Sequence, residues 1–419
     1  MSRREGKRPF WRIATAGIFF QGGAAAVDTG TIVAALVNGL TGSAVAVGAT
    51  AAIARYGWLF PQLFVGYWAQ RRRRRMPFYM LGAFGRVACL GGVALLVAGS
   101  GRLPEPLLVT AFFVLWTLYA FVSGIVAVPY NDIVARSVPS GARSRLLAIR
   151  FFGGGLLALV VAAAAHRLLG VLPFPLGHAA VLALGAGLLL VSTFSFVSAG
   201  EAEAPPANSG DGGFLAFLKD GGAIFRKDAR FRLFVYARWL AGGVAVALPF
   251  YVVQALAAGV DSKGVAVLLG AQTIGGLVSN PLWGWWGDHI GKRALLEGSA
   301  IVAVLAPVLT LGWWAGGAAT FAALPWFAAV FFILGAARNG GTIAQLGYLM
   351  EISPDAQRPA FSGYFNAIVA PAALSPIAGA GLVDLFGSPA VFAASAVAAV
   401  LQFFAIHRLR SLETTGAPA

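Results

Sequence analysis

Residues 281–293 read PLWGWWGDHIGKR. A long apolar stretch precedes them, and ALLEGSAIVAVLAPVLTLGWW follows at 294–314. Each flank is long enough to cross a bilayer core of roughly 30 Å, which takes about 20 residues of helix. The break is therefore read as a turn of two or three residues between two membrane spans. Gly284 and Gly287 are expected to allow close backbone approach. Lys292 and Arg293 are expected to hold the turn on the cytoplasmic side, where short loops collect positive charge.

The same alternation runs along the whole chain of 419 residues, of which 58% are hydrophobic and 11% charged. Mean hydropathy is +0.78, and a soluble domain carries about 25% charged residues. Twelve spans are predicted, at 12–38, 44–69, 78–99, 107–130, 150–169, 178–199, 232–256, 264–286, 294–315, 320–348, 362–383 and 388–407. The fold class is all-α and integral to a membrane. The apolar run of the first span continues through Leu40, past the length of a signal-peptide core, so it is read as an uncleaved span. A lone cysteine, Cys89, permits no disulfide within the chain, and the four histidines show no metal-ligand spacing. No cofactor or metal site is expected. No nucleophile elbow or Walker loop is visible, and FGGGL at 152–156 is read as close helix packing. A membrane-embedded enzyme needs clustered acids, histidines or a nucleophile at one depth; the sequence offers none, so an enzyme is not expected.

The net charge of +15 and the run Arg71–Arg75 invite a nucleic-acid reading, which the placement of the charges opposes. With the N-terminus in the cytoplasm, the tails and even-numbered loops hold 24 of the 31 Lys and Arg. The opposite face holds Arg102, Arg167 and Lys263, and four arginines lie within spans. That is the positive-inside asymmetry: both termini cytoplasmic, basic loops facing anionic lipid, no nucleic-acid partner. Arginine and alanine usage suggests a GC-rich bacterial genome and so a cytoplasmic (inner) membrane.

The stretch EAEAPPANSGDGG at 201–213 has linker composition and separates six spans from six. The expected organisation is a six-helix bundle at 1–199, a linker at 200–231 and a second six-helix bundle at 232–419. Landmarks recur between the halves. GYWAQRRRRR (66–75) aligns with GWWGDHIGKR (284–293) at an offset of 218, and VPSGAR (138–143) with SPDAQR (353–358) at 215, pairing Arg143 with Arg358. AVAVGA (44–49) resembles GVAVLLGA (264–271). Each repeated element keeps its membrane side, which describes two pseudo-symmetric bundles related about the membrane normal, a common transporter architecture.

With these elements in place, the chain resembles the major facilitator superfamily over nearly its whole length. Gly284, Asp288, Gly291, Lys292 and Arg293 match that family's signature between the second and third helices of a half. The resemblance implies a cytoplasmic gate in which Asp288 pairs with nearby basic residues and a helix N-terminus of the opposite half. Gly66, Arg143 and Arg358 occupy the related landmarks. The N-terminal copy departs from the pattern, with Gln70 in place of the acid and Arg73 in place of the second glycine. The resemblance also implies that helices 1, 4, 7 and 10 line a central cavity.

Ionisable groups within spans cost about 2.5–3.5 kcal/mol each on insertion scales. Asp28 is the one acid well inside a span, and Arg55 falls at nearly the same depth in the next one. A contact or a shared water network between them is expected. Arg86 and Arg238 lie near cytoplasmic helix ends and can snorkel; Arg238 is on a helix that borders the implied cavity. Arg338 sits deep, beside Asn339, with its side chain tilted away from the nearer interface, and so reads as functional. Tyr251, Gln254 and Gln272 are weaker candidates. Glu297 is read as an interfacial acid.

The expected function is secondary active transport of a small organic solute by alternating access. Asp28 is the candidate proton site, and an anionic or zwitterionic substrate is favoured. The other readings are export of lipophilic compounds and a nontransporting sensor or scaffold on the same fold. The fifth helix, RFFGGGLLALVVAAAAH, lacks the Gly-Pro pattern of the family's antiporters. A monomer in the bilayer is expected, with the solute and protons as its partners.

Overall fold

The computed structural model describes residues 7–70, 74–201, 222–318, 321–353 and 358–414. Among the described residues every regular element is a helix and none is a strand. With no water in the bilayer core, a spanning segment must satisfy its backbone within itself, and a helix does so. Each expected span coincides with a helix or a helix pair. In the first half these are α1 (Lys7–Ala26), α2 (Ile32–Thr41), α3 (Ala44–Gln70), α4 (Met76–Ala98), α5 (Glu105–Ser137), α6 (Ser140–Val171) and α7 (Leu176–Val197). In the second half they are α8 (Ala229–Ala245), α9 (Phe250–Ala257), α10 (Ser262–His289), α11 (Lys292–Gly312), α12 (Ala323–Ile352), α13 (Arg358–Val369), α14 (Ser375–Phe386) and α15 (Ser388–Thr414). Ten spans among the described residues are long and apolar enough to cross a membrane. The other two expected spans are formed by α1 with α2 and by α3.

The opening motif folds as its composition requires. Helix α10 ends at His289 and α11 starts at Lys292, so the turn is two residues wide. Gly291 takes φ +113°, a region that residues bearing a Cβ rarely enter. One expectation for this motif fails: a Cβ on Gly284 would meet nothing within 4 Å, whereas one on Gly287 would lie 3.0 Å from Leu295 Cδ2.

Three spans read as continuous are broken. The run 12–38 divides between α1 and α2 at Asp28. Its Oδ1 accepts the Gly30 N–H at 2.9 Å and the Thr31 hydroxyl at 3.1 Å, and its carbonyl accepts the Val33 N–H at 3.1 Å. A short polar side chain bonded to its own backbone competes with the helix ladder. The run 232–256 divides between α8 and α9, where Val246–Pro249 form turns. Pro249 contributes no N–H to continue the helix. The run 362–383 is interrupted by a 3₁₀ turn over Ala370–Leu374, which contains Pro371 and is followed by Pro376 in the first turn of α14. The first two breaks lie about one repeat offset apart.

The chain divides into two compact units. One comprises Met1–Ala46, Ile53–Gly210 and Asp261–Gly270; the other comprises Val47–Ala52, Asp211–Val260 and Ala271–Ala419. Helix pairing repeats within them. In the first half, α4 packs on α5 and α7, while α1 packs on α6 and α7. In the second, α11 packs on α12 and α15, and α8 packs on α15, α13 and α14. Glycine brings one helix pair to backbone contact in each unit. A Cβ on Gly124 of α5 would lie 2.7 Å from the Gly57 carbonyl oxygen of α3. A Cβ on Gly335 of α12 would lie 1.8 Å from the Gln272 carbonyl oxygen of α10. The FGGGL run packs as expected, with Ile18 against Gly153 and Gln21 against Gly154.

Candidate functional site

In the first unit the break after α1 holds Asp28 at the end of a helix inside an apolar span. Its carboxylate fixes the local turn through Gly30 and Thr31. Arg55, on α3, places its guanidinium 5.8 Å from the centre of the Trp58 ring.

Arg86 does not snorkel. It is 4% exposed and stands over the Phe20 ring at 5.0 Å. Arg150 of α6 lies over the same ring at 5.6 Å, over Tyr130 at 5.1 Å and over Phe151 at 5.7 Å. Its Nη1 donates to the Tyr130 hydroxyl at 3.1 Å. The structure places Arg150 within α6, in contact with rings of α1 and α5. A desolvated cation over an aromatic face gains about 2 kcal/mol, less than the several kcal/mol that burial of an ion costs.

Sequence reasoning missed an ionic cluster on the α3–α4 turn. Arg75 pairs with Asp132 of α5, and Asp132 pairs with Arg136 one helical turn on. Arg136 reaches Glu201 at 3.0 Å. Glu201, assigned by composition to the linker, has a side chain only 5% exposed. Its oxygens accept the Arg75 N–H at 2.8 and 2.9 Å and the Met76 N–H at 2.7 Å. It thus caps the start of α4, where unpaired N–H groups and the helix dipole favour an anion. The i,i+4 spacing of Asp132 and Arg136 was readable from sequence; the approach of Glu201 was not.

In the second unit, Asp288 Oδ1 accepts from Lys292 Nζ at 3.0 Å and its side chain is 73% exposed. Arg293 donates to Glu297 at 2.6 Å, and His407 of α15 approaches the same carboxylate at 3.2 Å. Asn339 Nδ2 donates to Asn280 and, at 3.0 Å, to the Gly276 carbonyl, tying α12 to α10. Gln272 stands beside that contact through its carbonyl. Arg338, one residue before, is exposed, and its carbonyl accepts the Thr342 hydroxyl at 2.8 Å. Arg238 is half-buried on α8. Tyr251 is 2% exposed and packs on Phe392 at 4.9 Å, and Gln254 is 8% exposed. The structure therefore places Asn339 and the backbone of Gln272 along the α10–α12 contact, while Tyr251 belongs to a packed core. Gly66, Arg143 and Arg358 fall outside the described side chains.

Residues 233–418 match the sequence profile of the Major Facilitator Superfamily. The fold of a mutant of the nucleoside transporter NupG superposes on this chain with a TM-score of 0.76 at 13% identity, covering 96% of this chain and 99% of that one. The sequence likeness to the Major Facilitator Superfamily thus lies in the second half of this chain, and the whole chain shares the fold of such transporters. A D-xylose–proton symporter is similar with a TM-score of 0.72 at 15% identity, over 96% of this chain and 97% of that one. The xylose transporter XylE from E. coli, in an inward-open conformation, gives 0.67 at 16%, over 96% and 98%. No curated protein matches the sequence. With ten apolar spans and this superfamily's fold, the chain is an integral, multi-pass membrane protein.

Proposed function

We propose that this chain is a secondary transporter that carries a small organic solute across a membrane by alternating access of two six-helix bundles joined by a linker at 200–231. The observation that supports this most strongly is the pair of discontinuous helices. The α1–α2 break and the α8–α9 break occupy corresponding positions of the two halves, and interrupted helices of this kind form substrate and ion sites near the midplane in transporter folds. Asp28 lies at the first break and is the proton-coupling group. Its carboxylate accepts the bonds that shape the break, so neutralising it weakens those bonds and links proton binding to helix geometry. Arg55, Arg338, Arg238, Asn339, Gln254 and Gln272 complete the substrate and coupling set, and the arginines favour an anionic or zwitterionic solute. Tyr251 acts from the core behind them. Asp288, Lys292 and Arg293 form a latch at the α10–α11 turn, with Gly66, Gly284, Gly291, Arg143 and Arg358 at the related turns. The protein lies in a cytoplasmic (inner) membrane as a monomer with both termini inside.

Reconstitution in proteoliposomes tests the reading. Solutes are first chosen by their shift of the melting temperature, and one that depends on Arg338 loses its shift in Arg338→Ala. An imposed pH gradient then drives uptake of that solute by the wild type. Asp28→Asn abolishes gradient-driven uptake and retains exchange. Uptake driven equally well by the pH gradient in Asp28→Asn would remove Asp28 from the coupling mechanism.

A further inference from the structure

Arg86 and Arg150 are the residues whose environment the transporter reading leaves unexplained. Both approach Phe20, one from α4 and one from α6, and each lies ten residues beyond its helix start, about 15 Å along the axis. Arg86 is more than nine-tenths buried, and its Nε has no hydrogen-bond partner. The same holds for Arg150 Nε. Among the described residues no carboxylate pairs with either guanidinium. This contrasts with Arg75 and Arg136, which share two acids at the turn of the same bundle.

The surroundings are rings. Phe20 flanks both guanidinium groups, Tyr130 and Phe151 flank that of Arg150, and Tyr79 and Tyr130 pack on Phe196 at 4.2 and 4.9 Å. Gly17 is the residue that admits the Arg150 stem, since a Cβ there would fall 2.6 Å from Arg150 Cγ. Aromatic faces offset part of the cost of a buried and a partly buried cation, but they supply no lone pairs for the guanidinium N–H groups. An oxyanion supplies both the charge and the acceptors, and guanidinium is the side chain best shaped to hold one. Tyr130, whose oxygen already accepts from Arg150, retains its own O–H to donate.

We propose that Arg86, Arg150 and Tyr130 form a binding site for the oxyanion of a small organic acid, whose flat apolar body lies against Phe20 and Phe151. The proposal deepens the transporter reading, on which it rests, by naming a carboxylate or phosphate ester as the substrate's charged group. It also places that group on residues of the first bundle outside the set assigned above.

The test is binding to the purified full-length chain in neutral detergent, read as a melting-temperature shift and separately from transport. The probes are benzoate and phenyl phosphate, with benzamide as the neutral counterpart and inorganic phosphate as the anion without a body. Benzoate or phenyl phosphate is expected to raise the melting temperature while benzamide and inorganic phosphate do not. Arg86→Gln and, independently, Arg150→Gln each weaken the response about tenfold or more, the loss of one charge-assisted contact. Arg102→Gln, an exposed change, leaves it intact. No response to either organic anion overturns the proposal. So does an equal response to benzamide, or an undiminished response in both arginine variants. An equal response to inorganic phosphate removes the role given to the rings. Absence of flux in liposomes with these binding results intact would count against the transporter reading alone.

Discussion

The turns after the second span of each half carry related sequences and are held in different ways. In the second half, charge is handled locally. Asp288 with Lys292 and Arg293 with Glu297 are i,i+4 pairs within a short stretch of chain, and His407 joins Glu297 from α15. In the first half the motif acid is missing, Gln70 standing in its place. There Arg75 pairs with Asp132 of α5, and its N–H with Glu201, which arrives from beyond α7. The missing charge is replaced in space rather than at its place in the sequence. The local version leaves its acid exposed; the assembled version buries one carboxylate among two arginines and a helix start. The same architecture thus tolerates a motif that has decayed, provided tertiary contacts return an anion to the N-terminus of the third helix.

The contrast can be broken most directly at Glu201. Glu201→Ala removes a buried acceptor from two backbone N–H groups and one of the two acids that Arg136 meets, Asp132 remaining. A loss of about 3 kcal/mol is expected from the two unsatisfied N–H groups, read as a lowered melting temperature in detergent. If the melting temperature is unchanged, the cluster does not hold the first bundle together.

The glycine contacts sharpen the comparison next. Gly335→Ala places its methyl against the Gln272 carbonyl more closely than Gly124→Ala does against Gly57. Overpacking of this kind costs about 1–3 kcal/mol. The melting temperature is expected to fall further for Gly335→Ala than for Gly124→Ala, and the reverse order would show that α3 and α5 yield less than α10 and α12. The smallest effects belong to the local pairs. Glu297→Ala, partly exposed, is expected to cost under about 1 kcal/mol. Asp288→Ala should leave thermal stability unchanged, and any effect it has should appear in transport rate.

Much of the fold is legible in the sequence because lipid imposes a strict rule on the backbone. The α10–α11 turn illustrates this: glycines and basic residues between two long apolar runs give a two-residue connection, with Gly291 at positive φ. The repeat offset likewise anticipates the parallel helix pairing within each half. The breaks at Asp28 and Pro249 were harder to see, because hydropathy does not register a helix that stops and restarts within one apolar run. Arg86 was misjudged for a related reason: snorkelling was inferred from position along a helix, while the Phe20 ring it meets comes from another helix.

The sequence by itself determined an all-helical chain, the extent of its spans and their turns, since these follow from local composition in a medium that forbids unpaired backbone. Only the tertiary structure decided that Glu201 caps α4, that Asn339 ties α12 to α10, and that two arginines share Phe20. Each of those depends on groups far apart in the chain meeting at a few ångströms, and interaction energy at that range is set by geometry that composition does not encode.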